Sequence, residues 1–261
     1  MSKRVDTVIK IKQANFTLHR AGAGEPLLYL HGIHGAASSF RVMESLARYY
    51  DVYLPEHPGF DSSDMPEWFE SIHDLAYYYL DFLDALGLEH VHLAGHSLGG
   101  WIALEAAIRD PRRFRSLTLI SSAGIHVKGV PKGDLFVRAP EVVFKSMFAD
   151  ENIAVAIMKE GQSKNNEDTF IKNRFATARA GWHPPMFNPH LAKWLERVRL
   201  PVRIIWGDCD RIFPIEYAHA FHRLLPDSTI DIIPACGHLA HIEQPHALVK
   251  SITSFIGGLP K

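Results

Sequence analysis

The segment Gly95-His96-Ser97-Leu98-Gly99 fits the pattern Gly-x-Ser-x-Gly, which supplies a serine nucleophile in many enzymes. In this pattern the serine lies at a sharp turn between a strand and a helix, and the glycines permit the close backbone contacts that the turn requires. The residues before Gly95 predict a buried strand, and those after Gly100 predict a helix. We therefore predict that Ser97 is a catalytic nucleophile.

A serine hydroxyl is a poor nucleophile until a base takes its proton, and histidine is the usual base. Among the 16 histidines, His238 follows the last predicted strand and so reaches the same edge of the sheet as Ser97. His96 is adjacent to the serine on a tight turn, so the two side chains cannot aim at a common point. His31 lies beside a glycine in another turn and is interpreted as a structural hydrogen-bonding residue. We predict that His238 is the general base.

The acid that orients this histidine is expected in the segment Trp206-Gly207-Asp208-Cys209-Asp210-Arg211, which follows the strand before the last. Asp210 is the predicted acid, and Asp208 is the alternative that more plausibly caps the turn or the next helix. The order Ser97, Asp210, His238 along the chain is the one expected when these three loops form one site.

Acyl transfer passes through an oxyanion, which needs backbone N–H donors already in place. We predict two donors. One is the amide of Leu98 at the start of a helix, where the helix dipole favours negative charge. The other is the amide of Ile33, which follows His31-Gly32 in the loop after the third predicted strand. Gly32 and Gly35 are interpreted as allowing this backbone to approach the substrate.

Strands and helices alternate around these residues, which predicts a parallel sheet covered by helices on both faces. The first two strands read as a hairpin. Strands are predicted at 7–12, 15–19, 27–30, 52–54, 90–94, 115–120, 202–206 and 229–233, and helices at 38–48, 72–86, 98–108, 215–225 and 241–256. From Gly124 to about Arg199 the strand pattern disappears, and helices are predicted at 135–148, 153–160 and 168–180. This stretch is interpreted as a helical insertion.

Composition narrows the possible partners. With 28 Lys+Arg against 29 Asp+Glu, the chain lacks the broad positive charge that nucleic acid or an anionic membrane favours. No apolar run has the length of a membrane span, and the N-terminus has no apolar signal-peptide core. We expect a cytoplasmic protein with a small-molecule substrate and no nucleic-acid or membrane partner. Its oligomeric state, monomer or homodimer, is open.

No cofactor or metal is expected. The sequence has neither a His-Glu-x-x-His helix nor a Gly-rich dinucleotide or phosphate loop after the first strand. Only two cysteines occur, Cys209 and Cys236, which is too few for a disulfide framework and the wrong spacing for a zinc site. Free thiols are the simpler interpretation.

Taken in order, these motifs make the chain similar to the α/β-hydrolase superfamily over almost its whole length. The resemblance implies a mostly parallel eight-stranded sheet with helices on both faces, a core formed by 1–123 and 199–261, and a helical cap at 124–198 over the active site. The motifs that carry it are His31-Gly32, Pro58-Gly59-Phe60-Asp61-Ser62-Ser63, Gly95 to Gly100, Trp206-Gly207 with Asp210 and Pro214, and Gly237-His238 with Glu243-Gln244-Pro245.

The resemblance implies hydrolysis of carboxylic esters as the broadest activity, with a largely hydrophobic pocket because the cap is rich in apolar residues. The alternative is cleavage of carbon–carbon bonds in ring-fission (meta-cleavage) products of aromatic degradation. Enzymes of that kind often carry tryptophan after the histidine, where this chain has Leu239. Arg174 in the cap resembles the arginine that they use near a substrate carboxylate, although a solvated helix face explains it equally well. Further alternatives are a cofactor-free lyase or perhydrolase with the same triad, and a non-catalytic ligand receptor.

Overall fold

The computed structural model describes residues 3–160 and 164–260. Eight strands form one sheet in the order β1-β2-β4-β3-β5-β6-β7-β8. β1 pairs with β2, and β2 with β4, in antiparallel fashion, whereas the other neighbours are parallel. The strands are β1 Val5–Ile11, β2 Ala14–Ala21, β3 Pro26–Leu30, β4 Asp51–Pro55, β5 Val91–His96, β6 Phe114–Ile120, β7 Val202–Gly207 and β8 Ser228–Ile233. The predicted α/β fold with a mostly parallel eight-stranded sheet is therefore confirmed.

Helices cover both faces of the sheet. The described α-helices are α1 Phe40–Leu46, α2 Ile72–Ala85, α3 Leu98–Arg109, α4 Pro140–Ser146, α5 Glu151–Glu160, α6 Lys164–Gly181, α7 Glu216–Leu224, α8 Ala240–Glu243 and α9 Pro245–Gly257. Alternate residues of one strand face opposite sides: Tyr29 belongs to the apolar cluster that includes α1 and α9, and Leu28 to the cluster that includes α2, α3 and α7. The central strand β5 is buried along its whole length, which favours apolar residues at most of its positions.

Helices α4 to α6 lie between β6 and β7, in the stretch that the sequence assigns to a cap. The base of this stretch is closed by backbone hydrogen bonds, from Gly124 N to Met186 O at 3.2 Å and from Asn188 N to Gly124 O at 3.0 Å. None of the helices in the described part of the chain is long and apolar enough to cross a membrane.

The bounds of the helices differ from the predicted ones by a few residues, and in two helices the local cause is visible. The first cap helix begins at Pro140 instead of residue 135, because the Asp134 carboxylate accepts hydrogen bonds from the backbone of Phe136 and Val137 and holds a turn there. The closing helix divides into α8 and α9 at Gln244, since the residue before Pro245 is disfavoured in helical conformation.

Candidate active site

Ser97 occupies the turn between β5 and α3 with φ 53° and ψ −113°, a conformation that a non-glycine residue seldom adopts. Neighbouring glycines make the turn possible. A Cβ on Gly95 would lie 2.4 Å from the carbonyl oxygen of Gly99, and a Cβ on Gly99 would lie 2.2 Å from that of Leu30. The turn is anchored by a hydrogen bond from Ser97 N to Ile120 O at 2.9 Å. The backbone therefore holds the serine in one place at the carboxyl edge of the sheet.

The structure brings the three predicted catalytic residues together. His238 Nε2 lies 2.9 Å from Ser97 Oγ, and His238 Nδ1 lies 2.9 Å from Asp210 Oδ2. The exposed fractions of the three residues are 1% for Ser97, 1% for His238 and 5% for Asp210. In this arrangement the carboxylate accepts the Nδ1–H, which leaves Nε2 free to accept the serine proton.

The other oxygen of Asp210 is held by the backbone of its own loop. Asp210 Oδ1 accepts hydrogen bonds from Ile212 N at 2.8 Å and from Phe213 N at 2.9 Å. Asp208, the alternative acid, instead accepts a hydrogen bond from Cys236 N at 3.3 Å. Of the two aspartates, Asp210 is the one that contacts the histidine ring.

The two predicted oxyanion donors lie beside this serine. Leu98 is the first residue of α3, so its N–H has no acceptor within the helix. The loop of Ile33 passes close to the turn, because a Cβ on Gly32 would lie 3.4 Å from the Cβ of Ser97. Among the described residues, no hydrogen-bond acceptor is found for the Ile33 or Leu98 amide.

The interpretation of Gly35 is wrong. Its φ of 82° favours glycine, and a Cβ there would lie 2.2 Å from Asp61 Oδ1. Asp61 Oδ2 in turn accepts a hydrogen bond from Ala36 N at 2.7 Å. Gly35 therefore makes room for the carboxylate that fixes the loop, rather than for the substrate.

His96 fixes the position of His238, a contact that sequence reasoning missed. Its Nε2 donates to the His238 backbone oxygen at 2.9 Å. The pKa of His96 is well below its usual value because of burial and the neighbouring rings of His241 and His238. His96 is thus a neutral donor that ties the nucleophile turn to the histidine loop. Its place beside Ser97 was the only signal in the sequence.

His31 forms structural hydrogen bonds, as interpreted from the sequence. Its Nδ1 lies 2.7 Å from Gly32 O, and its Nε2 accepts a hydrogen bond from His57 N at 3.0 Å. The His57 ring stacks on it with centroids 3.7 Å apart. This pair holds the start of the loop that carries Ile33.

A second contact missed by sequence reasoning joins the cap to the histidine loop. His238 N donates to Met147 O at 2.7 Å. The Glu243 carboxylate accepts hydrogen bonds on both sides, from Gly237 N at 2.7 Å and from Ala149 N at 2.8 Å. The position of the cap segment at Met147 is therefore linked directly to the position of the catalytic histidine.

A cavity of about 490 Å³ is lined by residues between β6 and β7, from Leu135 to Thr177, and by Ile33 and His34. Its lining is mainly apolar, with Arg174, Glu141 and Glu167 as charged members. The lining residues are Ile33, His34, Leu135, Phe136, Pro140, Glu141, Val143, Phe144, Met147, Ile157, Met158, Glu167, Phe170, Arg174 and Thr177. The predicted substrate residue Arg174 is therefore at a cavity wall, where its guanidinium donates to Phe136 O at 2.8 Å.

The cavity reaches the neighbours of the serine but not the serine itself. Ile33, His34 and Met147 belong to its lining, whereas Ser97 does not. His34 Nε2 lies 3.0 Å from the Met147 sulfur. Burial, together with the nearby His238, lowers the pKa of His34 to about 4, so this ring is neutral at neutral pH.

In the described residues, no group of three or more histidine, cysteine, aspartate or glutamate side chains is placed to hold a metal ion. Both cysteines are free thiols, as interpreted from the sequence; Cys209 is exposed and Cys236 is buried.

Comparison with known proteins places the chain among hydrolases. A family model described as "Alpha/beta hydrolase family" matches residues 27–251. A hydrolase from Bacillus subtilis (strain 168), named YugF and without an assigned substrate, is 29% identical, with 89% of this chain and 90% of that protein covered. Lipase 3 from Moraxella sp. (strain TA144) is 24% identical, with 91% and 79% covered. The 2-hydroxy-6-oxo-2,4-heptadienoate hydrolase of Pseudomonas putida is 25% identical, with 92% and 91% covered.

Solved structures show the same fold. A serine hydrolase involved in carbazole degradation superimposes with a TM-score of 0.80 at 22% identity, covering 98% of this chain and 99% of the other. At that identity the likeness shows the fold alone.

Proposed function

The chain belongs to the alpha/beta hydrolase family and is a hydrolase, and from this premise we propose that it cleaves carboxylic esters of small to medium hydrophobic substrates through Ser97, His238 and Asp210. The observation that carries the proposal is the continuous hydrogen-bonded series Ser97 Oγ, His238 Nε2, His238 Nδ1 and Asp210 Oδ2, with both distances 2.9 Å. A cytoplasmic location is part of the same proposal.

The chemistry follows from this series. His238 Nε2 takes the proton of Ser97 as Oγ attacks the ester carbonyl, and the imidazolium that forms is stabilised by Asp210. The Leu98 and Ile33 amides donate to the oxyanion of the tetrahedral intermediate. The imidazolium then gives its proton to the leaving alcohol, and an acyl-enzyme remains. Water, deprotonated by the same nitrogen, attacks the acyl group and regenerates the serine.

The cavity supports the substrate class. Its volume of about 490 Å³ lies within the range of small-molecule sites, and its walls are formed mainly by the aromatic and aliphatic side chains of the cap. Lipase 3 of Moraxella is a relative whose name states an activity on esters.

Carbon–carbon cleavage of a ring-fission product is the second candidate, and the position of Arg174 in the cavity wall favours it. A guanidinium there is able to form a bidentate pair with a substrate carboxylate. The relative from Pseudomonas putida is named for a substrate that is a dienoate. Leu239 lies in place of the tryptophan frequent in such enzymes, which favours the ester as the first choice.

Steady-state hydrolysis of p-nitrophenyl esters from acetate to dodecanoate, measured beside a carboxylate-bearing dienone ring-fission product, separates the candidates. We expect fast turnover of an ester and poor cleavage of the dienone. Efficient dienone cleavage with slow ester turnover would establish the second candidate instead. Absence of turnover with every substrate would support a ligand receptor, and product formation from an ester only with added peroxide would support a perhydrolase.

Arg174→Gln tests whether Arg174 binds a substrate carboxylate or only supports the cap through its hydrogen bond to Phe136 O. If a substrate carboxylate binds there, this variant raises KM for the dienone by about tenfold or more and leaves the neutral esters unchanged, because a charged hydrogen bond contributes about 1.5–3 kcal/mol. Arg179→Gln, on the same helix but outside the cavity lining, is the matched control. Equal effects on both substrate classes would show that Arg174 supports the cap structure only.

A further inference from the structure

A buried carboxylate lies on helix α3, about two turns after the nucleophile. Glu105 is 1% exposed. Its Oε1 accepts hydrogen bonds from Trp101 Nε1 at 3.2 Å and Asn188 Nδ2 at 2.8 Å, and its Oε2 accepts one from Arg109 at 2.7 Å. Burial alone would raise the pKa of Glu105, but the surrounding hydrogen bonds lower it to about 2, so the carboxylate is charged at neutral pH.

The ring of Trp101 lies between two segments of the helical insertion that joins β6 to β7. A Cβ on Gly124, near the start of the insertion, would lie 2.8 Å from Trp101 Cδ1. A Cβ on Gly181, the last residue of α6, would lie 2.9 Å from Trp101 Cζ3. The ring is buried, and the missing side chains of the two glycines leave room for it.

Asn188 joins the start of the insertion to its returning end. Asn188 N donates to Gly124 O at 3.0 Å, and Gly124 N donates to Met186 O at 3.2 Å. Asn188 Oδ1 accepts a hydrogen bond from His190 N at 2.9 Å. The side-chain amide is therefore oriented, with its oxygen toward its own chain segment and its nitrogen toward Glu105.

The first turn of α3 also connects the insertion to the nucleophile. Ser97 O accepts hydrogen bonds from Trp101 N at 3.2 Å and from Ala123 N at 3.1 Å. Ala123 directly precedes Gly124 in the chain. The serine turn, the start of α3 and the start of the insertion therefore meet at one carbonyl oxygen.

We propose that Trp101 and Glu105 are positioning residues that fix the insertion on the nucleophile helix, with Asn188 as their partner on the insertion. We call these three residues the α3 junction. Apart from Ile33 and His34, the residues that line the cavity belong to the insertion. The α3 junction therefore sets the position of the cavity wall relative to the serine.

The choice of a carboxylate agrees with this role. An apolar side chain would fill a buried position of α3 without the cost of removing a charge from water. Hydrogen bonds are directional, so the Glu105 carboxylate selects one placement of the Trp101 and Asn188 side chains. An apolar contact would tolerate several placements.

The consequence for turnover rests on the proposed hydrolysis of esters, whereas the α3 junction itself does not. A long acyl chain needs the cavity wall, while an acetyl group is held mainly at the serine. Loss of the junction should therefore weaken the binding of long esters and leave acetate nearly unaffected. A purely structural role would instead lower stability and affect both esters alike.

Asn188→Asp breaks the α3 junction with almost no change of shape. It keeps the oxygen that accepts the His190 N–H and turns a second oxygen, instead of a donor, toward Glu105. Adding Glu105→Gln restores a donor–acceptor pair, because the new amide donates to the new carboxylate. Asn152→Asp is the matched control: it removes a hydrogen bond of 2.9 Å to Asp150 at an exposed position of α5, outside the cavity lining.

The first measurement is kcat and KM with p-nitrophenyl acetate and with the longest ester of the panel that the wild type turns over. We expect Asn188→Asp to raise KM for the long ester about tenfold, the effect of one charged hydrogen bond, and to change kcat/KM for acetate by less than about twofold. The double variant should recover most of this loss. Thermal unfolding of each variant reports its stability separately.

Hydrogen exchange with mass spectrometry tests the α3 junction without turnover. The amides of Gly124 and Asn188 bridge the two segments of the insertion. Peptides that cover 121–127 and 184–191 should therefore exchange about tenfold faster in Asn188→Asp than in the wild type, and the double variant should reverse the change. Peptides of β5 should exchange as in the wild type, because the sheet stays folded.

Two results would overturn the proposal. One is exchange in Asn188→Asp that equals exchange in the wild type and in Asn152→Asp. The other is an equal loss with both esters that the double variant does not recover, which would assign the α3 junction to stability alone. If the wild type hydrolyses no ester but exchange changes as expected, the proposed function fails and the α3 junction stands.

Discussion

Asp210 and Asp208 are only two residues apart, yet their surroundings differ completely. Both oxygens of Asp210 are used, one by the His238 ring and the other by the backbone of Ile212 and Phe213. Asp208 instead accepts a hydrogen bond from the Cys236 N–H across the neighbouring loop. The sequence order predicts that one of the two orients the histidine, and the hydrogen bonds favour Asp210.

Asp210→Asn should lower kcat by about 10⁴-fold, because an amide in this place favours the wrong histidine tautomer. Asp208→Asn, the matched control, should retain most of the activity. Both variants are measured with the best ester of the panel, together with their thermal unfolding. A larger loss in Asp208→Asn would move the acid to that position.

Among the secondary-structure elements, the central strands were the most predictable from the sequence. β5 to β7 are rich in apolar residues because most of their positions on both faces are buried, and the loops after β5 and β7 carry the serine and the acid. The cap helices were less predictable, since their ends depend on local side-chain contacts such as that of Asp134. The role of Glu243 was not predictable, because its partners Ala149 and Gly237 come from two distant segments.

Glu243→Gln should lower kcat by about tenfold and leave KM for a short ester nearly unchanged. The amide keeps a single acceptor oxygen, so one of the partly buried N–H groups of Gly237 and Ala149 loses its partner, at a cost of about 1–3 kcal/mol. Glu44→Gln, at an exposed position of α1, is the matched control. An unchanged kcat would show that the histidine loop holds its place without the cap.

For the molecule as a whole, buried histidines make the free energy of unfolding depend on pH below about 6.5. Burial lowers the pKa of His34 to about 4 and that of His241 to about 3, with nearby histidines adding to the effect. His31, His57 and His96 are shifted in the same direction, chiefly by burial. Below pH 6.5 the unfolded chain binds protons that the folded chain does not, so the free energy of unfolding falls as the pH falls. His19 acts in the opposite sense, because contacts with Glu56 and Asp6 outweigh its burial and raise its pKa.

His241→Leu isolates one of these groups. Both ring nitrogens of His241 are buried without a hydrogen-bond partner among the described residues. Between pH 6.5 and about 4, the free energy of unfolding of this variant should fall less steeply with falling pH than that of the wild type. The two slopes should differ by about 1.4 kcal/mol per pH unit. Urea denaturation at several pH values in this interval measures the slope, with His246→Leu at an exposed position of α9 as the control. An unchanged slope in His241→Leu would show that this histidine is not protonated on unfolding.

The assignment of Ser97 as the nucleophile is tested most directly by trapping the acyl-enzyme. Rapid quenching during turnover of a p-nitrophenyl ester, followed by peptide mass spectrometry, is expected to find one acyl group per chain on the peptide that contains Ser97. Ser97→Ala should carry no acyl group and show no turnover, while its thermal unfolding stays close to that of the wild type. Turnover by Ser97→Ala, or an acyl group on another residue of the wild type during turnover, would contradict the assignment.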